Sequence, residues 1–144
     1  ISQSLKYIMK GYFMKNKKND FFIEYTNYAG NYYGTPKEAI KKKLDAGIDV
    51  ILEIEIEGAR QVVEKIKDAV TIYLMPPSIE ELERRIRGRR SEPEEVVKER
   101  MDKAKREIKS YTEYKYVVYN DSLEKATDEI AHIILNEINK EEVL

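Results

Sequence analysis

Short apolar runs alternate with segments of helical periodicity along this chain, and that alternation limits the folds open to it. Val50-Ile51-Leu52-Glu53-Ile54-Glu55-Ile56 reads as a strand, as does Val70 to Met75, which Pro76-Pro77 halts. Phe21 to Tyr25 and Tyr114 to Tyr119 are two further short strands. Between them lie helical patterns: Ser2 to Lys10, with Leu5, Ile8 and Met9 on one stripe; Pro36 to Ala46, stopped by Gly47; Gly58 to Ile66; Ser78 to about Arg90; Pro93 to Ser110; and Leu123 to about Asn139. Strands followed by helices imply crossover connections, hence an α/β fold with a parallel sheet flanked by helices.

The 144 residues, 42% of them apolar, suit a single domain over 1–144. The 26 basic and 27 acidic residues nearly cancel, so bulk charge would not hold this protein on nucleic acid. An anionic partner must be met by a local cluster. No cysteine is present, which excludes disulfide frameworks and thiolate metal sites. No apolar run approaches the roughly 18–20 residues that span a bilayer, and Ile1 to Lys10 lacks a signal-peptide core. The expectation is a cytoplasmic protein with no membrane partner.

Phe22-Ile23-Glu24-Tyr25, followed by the loop Gly30-Asn31-Tyr32-Tyr33-Gly34 and Thr35-Pro36, gathers an acid, phenols, a hydroxyl and glycines into a short span. Such a set suits a small, flat, hydrogen-bonding ligand: phenol faces and hydroxyls offer contacts, and Glu24 accepts N–H donors. Thr35 has a competing explanation, because Thr35-Pro36-Lys37-Glu38 is a capping box with proline at the first helical position. Tyr33 is open to a second reading as a buried aromatic, and Tyr32 reads as structural.

Glu53 and Glu55 lie two apart on a strand and so share a face. They are either two solvated acids at a strand end or ligand-facing acids at the carboxyl end of a parallel strand. Arg84, Arg85, Arg87, Arg89 and Arg90, with Arg100 one helix later, concentrate positive charge near Gly88 and Pro93. Guanidinium forks suit phosphate oxygens, while interleaved glutamates offer the alternative of a solvated charge run. Arg85, Arg89 and Arg100 are the functional candidates, and Arg84 and Arg90 read as surface. His132, within a helix, reads as a packed or surface residue and not as a base.

Together these residues resemble the guanylate kinase family. Phe22-Ile23-Glu24-Tyr25, Gly30-Asn31-Tyr32-Tyr33-Gly34-Thr35, Leu52-Glu53-Ile54-Glu55 with Gly58, Pro76-Pro77-Ser78, Arg85-Ile86-Arg87-Gly88-Arg89 and Tyr119-Asn120-Asp121 fall in the family's order, with fitting spacing from Phe21 onward. The resemblance implies a P-loop-kinase-like parallel sheet with a small GMP-binding insert and a lid. It implies transfer of phosphate from ATP to GMP or dGMP with Mg²⁺. Glu24 and Glu55 would accept guanine N–H groups, Thr35 would bond its carbonyl edge, and Tyr33 would reach the GMP phosphate. Glu53 would face Mg²⁺ through water. Arg85, Arg89 and Arg100 would converge on the transferring phosphoryl group, and Arg89 and Asn120 would lie on the ATP adenine side. The implied partition is 11–35 in the GMP-binding subdomain, 36–87 and 101–144 in the core, and 88–100 in the lid.

The departures are at the front. The family's G-x-x-x-x-G-K-[ST] phosphate loop is absent, as is the Thr-Thr-Arg-x-x-Arg-x-Gly-Glu segment whose arginines grip GMP phosphate. Ile1 to Lys10 resembles the helix after the P-loop. Gly11-Tyr12-Phe13 resembles the tripeptide after those arginines, which makes Tyr12 a GMP-phosphate candidate. The expectation is that this sequence omits pieces of a longer enzyme; an intact mass several kDa above 17.0 kDa would bear it out. If the sequence is literal, the alternative is a non-catalytic guanylate-kinase-like protein-binding module.

Overall fold

A computed structural model describes residues 7–8, 20–28, 30–89 and 92–142. The chain forms two compact units, Ile1–Ala69 and Val70–Leu144. The first unit holds strands β1 (Tyr7–Ile8), β2 (Phe22–Tyr28) and β3 (Asn31–Pro36), then helices α1 (Lys37–Asp45) and α2 (Ile56–Lys65). The second holds β4 (Ile72–Met75), α3 (Ile79–Arg89), α4 (Glu94–Ile108), a 3₁₀ turn at Lys109–Glu113, β5 (Tyr116–Tyr119) and α5 (Leu123–Glu142).

In the first unit the strands form an antiparallel sheet in the order β1-β3-β2. Asn31 to Gly34 is therefore strand and not loop. Of the run from Gly30 to Gly34, only Gly30, at φ 78°, stands outside β3, in the hairpin turn. Gly34 serves another purpose: a Cβ there would meet the Phe22 ring at 2.8 Å. Tyr7 and Ile8 also differ from expectation, since they pair with Tyr33 and Tyr32 along the edge of β3 instead of continuing a helix. Extended pairing satisfies backbone groups that β3 would otherwise present unpaired.

β2 contains a register shift between Phe22 and Glu24: Phe22 opposes Pro36 while Glu24 opposes Thr35. One extra residue on β2 is a bulge, and a bulge breaks strict alternation. That explains why Phe22, Ile23 and Glu24 are all buried, at 2%, 5% and 0% exposure. Ile23 joins Ile40 and Val62 in a core against which Val50, Leu52 and Ile54 pack.

The segment 49–55 is the main correction to the expected strands. It is irregular backbone leading into α2, with no strand pairing to it among the described residues. Its apolar alternation survives, with Val50, Leu52 and Ile54 turned to the core and Ile51 at 71% exposure. A strand exists through its ladder, and periodicity alone does not supply the neighbour.

In the second unit β4 and β5 pair in parallel, Ile72 with Tyr116 through Met75 with Tyr119. The connection between them passes through α3 and α4, as the crossover rule requires. Val118, Ala126 and Ile133 form the core under Ile72, Tyr116 and Ile130. Val70 and Leu74 were expected in a buried strand but are 41% and 52% exposed. Val70 precedes β4, and Leu74 lies within it. Ser78 Oγ accepts the Glu81 N–H at 3.0 Å, realising one half of its capping box.

Candidate functional site

The site grows from Glu24. Its position opposite Thr35 across the β2–β3 ladder places both side chains on one sheet face, which Tyr33 shares by the two-residue period. Thr35 Oγ1 donates to Glu24 Oε1 at 2.6 Å. The capping explanation for Thr35 is thereby overturned: the N-cap of α1 is Pro36, with no side-chain cap, and the hydroxyl is committed to Glu24 instead. Glu24 Oε2 is buried without a hydrogen-bond partner among the described residues. Burial pushes the Glu24 pKa up, while the Thr35 hydrogen bond and the Lys65 charge pull it down.

Helix α2 supplies the wall. A Cβ on Gly58 would lie 2.5 Å from Glu24 Oε2, so only glycine leaves room for that oxygen. Gln61 Oε1 accepts the Tyr25 N–H at 3.0 Å, and Gln61 Nε2 donates to the Tyr25 carbonyl at 2.7 Å. Lys65 Nζ donates to the carbonyls of Phe22 and Ile23 at 3.0 and 2.8 Å. Sequence reading missed Gln61 and Lys65. Their signal was the spacing 58, 61, 62, 65, one stripe of a helix.

Glu55 is the half-buried N-cap residue of α2, and Glu53 is exposed in the segment before it. Tyr12 lies outside the described residues. Among the described residues, no group of three or more potential metal ligands occurs. Glu53 is an exposed carboxylate, a group that could meet Mg²⁺ through water, since that ion keeps its waters and takes one or two carboxylates beside phosphate oxygens.

In the second unit, Arg85 Nε donates to Glu81 Oε1 at 2.9 Å, and Nη1 donates to the Asn120 carbonyl at 2.8 Å. The Asn120 N–H in turn donates to the Met75 carbonyl at 2.8 Å. This network fixes Arg85 beside the end of β5. Arg84 also binds Glu81, and the two guanidinium groups, Arg84 first, hold that carboxylate at about 2. Arg87 bridges Glu83 and Glu94. Arg100 pairs with Glu92 at 3.0 Å, and Glu92 Oε2 is buried without a partner among the described residues. Arg89 closes α3, but its side chain lies outside what is described, as does Arg90. His132 Nδ1 meets the Asp128 carbonyl at 2.8 Å on an exposed face of α5, a helix-surface role.

A hairpin carrying a buried acid beside a hydroxyl, joined in sequence to a parallel strand pair and an arginine-bearing helix, defines an α/β protein with candidate groups for a polar base and for phosphate. The guanylate kinase family model matches residues 3–137. A guanylate kinase of Streptococcus thermophilus (strain CNRZ 1066) is 42% identical over 132 residues, covering 87% of this chain and 63% of that protein. One from Halalkalibacterium halodurans is 44% identical over 140 residues, covering 92% and 69%. The crystal structure of guanylate kinase from Anaplasma phagocytophilum superposes with a TM-score of 0.75 at 30% identity, covering 90% of this chain and 63% of that one. The chain belongs to the guanylate kinase family. It spans 63% of the length of the Streptococcus relative.

Proposed function

We propose that the full-length protein transfers the γ-phosphoryl group of ATP to GMP or dGMP, giving ADP and GDP or dGDP, as a cytoplasmic enzyme of purine nucleotide metabolism. The observation that carries this reading is the Glu24–Thr35 pair. A buried carboxylate oxygen without a hydrogen-bond partner among the described residues stands beside a hydroxyl donor 2.6 Å from its twin oxygen. Guanine presents the complement, an N–H next to a carbonyl. Thr35 has one proton to give, so guanine would exchange the internal bond for two external ones, N–H to Glu24 and hydroxyl to carbonyl. Adenine carries the reverse pattern on that edge and would leave Glu24 unsatisfied, which is costly in a buried site.

In this reading Glu55 accepts a second guanine N–H, and Tyr33 and Tyr12 serve the GMP phosphate. Glu53 meets Mg²⁺ through water, and the metal supplies charge neutralisation between the ATP phosphates. Arg85, Arg89 and Arg100 neutralise the transferring group, Arg89 and Asn120 serve the adenine side, and 88–100 is the lid. Among the described residues no helix is long and apolar enough to cross a membrane.

A coupled ADP-release assay on the full-length protein tests the reading. ADP should appear with GMP or dGMP and stay at background with AMP or with no acceptor. Equal release under all four conditions would refute acceptor recognition.

A further inference from the structure

The aim of the Glu24 carboxylate is set from outside its own strand. Among the described residues β2 is an edge strand, so one row of its backbone groups has no ladder there. One stripe of α2 occupies that row around Glu24. Lys65 takes the carbonyls of Phe22 and Ile23, the two residues at the bulge. Gln61 takes both the N–H and the C=O of Tyr25, as a neighbouring strand would. Gly58 leaves the space that Glu24 Oε2 fills.

We propose that Gln61 and Lys65 are positioning residues that hold the β2 bulge in the geometry that keeps the Glu24 carboxylate buried and turned toward its ligand. The proposal rests on the reading of Glu24 as the guanine acceptor. Without Lys65, two bulge carbonyls lose their donor and the extra residue is free to migrate along the strand. A one-residue slip would turn Glu24 to the other face. Without Gln61, water would replace the amide at Tyr25 and reach the carboxylate beside it.

Two readouts on the full-length protein test this: the Glu24 side-chain ¹³C titration, and the dissociation constants of GMP and ATP measured separately. In Gln61→Ala, which removes no charge, the Glu24 midpoint should move down toward that of an ordinary carboxylate; Lys65→Met also removes a charge that lowers this midpoint, so for the Lys65 variants the GMP and ATP constants are the readout. GMP binding should weaken about tenfold, with ATP within about twofold. Lys65→Arg, which keeps a cationic donor, should restore GMP binding. An unmoved midpoint in Gln61→Ala, equal loss of GMP and ATP, or a Lys65→Arg variant that behaves like Lys65→Met would overturn the positioning role. If Gln61→Ala fails to fold, the two Lys65 variants decide alone. A wild type that does not bind GMP while the midpoint still moves would sink the guanine reading and leave the positioning role standing.

Discussion

Glu24 is held fully out of water with one oxygen unpartnered among the described residues, and that is a cost the fold bears at its candidate site. Because burial raises its folded pKa above the ordinary 4.5, the folded state binds the proton more tightly than the unfolded state. Stability from this group therefore falls as pH rises through that window, the reverse of a salt-bridged acid. Glu24→Gln removes the charge. Relative to this variant, the wild type should be least stable at neutral pH and should gain as pH falls through the raised value, with no further gain below about 4.5. Urea midpoints of the two proteins across the acid range measure it. The same variant should bind GMP about tenfold more weakly, because the bond from the guanine N–H to an ionised carboxylate becomes a weaker one to a neutral amide oxygen. A variant that is both more stable at neutral pH and poorer at binding would show strain kept for function.

At the scale of elements, α5 is fastened to β5 through Glu137. Its carboxylate accepts the Tyr116 hydroxyl, lies 2.8 Å from Lys115 Nζ and also meets Lys140 at 3.4 Å. Lys115 first, then Tyr116, hold Glu137 well down, from 4.5 to about 2. A depressed acid stabilises fully above its unfolded value and loses that contribution as pH falls through the folded one. The stability gap between wild type and Glu137→Gln should be widest at neutral pH and close between about 4.5 and about 2. A gap independent of pH would point to lost packing instead. The elements themselves were unevenly legible. α1, α3, α4 and α5 follow from apolar spacing, and Ser78 caps α3 as its sequence indicates. Residues 49–55 carry a strand's alternation but not a strand's hydrogen bonds, because pairing depends on neighbours that local pattern does not encode. The β2 bulge was invisible for a related reason: it exists only as a mismatch in register between two segments.

At the scale of the whole molecule, the candidate residues fall by sequence into two groups. Glu24, Tyr33, Thr35, Glu53 and Glu55 belong to the first compact unit, and Arg85, Arg89, Arg100 and Asn120 to the second. Their types were readable, since an acid near a hydroxyl suits a base and arginines suit phosphate. Their partners were not: Thr35 bonding Glu24, Arg85 bonding the carbonyl of Asn120, and Arg100 bonding Glu92 are all contacts between residues distant enough that periodicity carries no trace of them. The proposed activity assigns recognition to the first group and charge neutralisation to the second, and the two roles have different kinetic signatures. A residue that binds the ground state and transition state alike changes affinity, whereas one that acts on developing charge changes turnover. On the full-length protein, Glu55→Ala should weaken GMP binding far more than ATP binding in isothermal titration. Arg100→Ala should lower kcat by about 10²–10³, as removal of a transition-state donor does, while the GMP dissociation constant stays within about twofold. The pairing with Glu92 sharpens the second expectation, because under the proposed activity Arg100 would exchange that carboxylate for phosphate oxygens. Glu92→Gln weakens the competitor, so it should leave kcat intact or raise it. A fall in kcat equal to that of Arg100→Ala would instead mark the ion pair as the arrangement that catalysis requires.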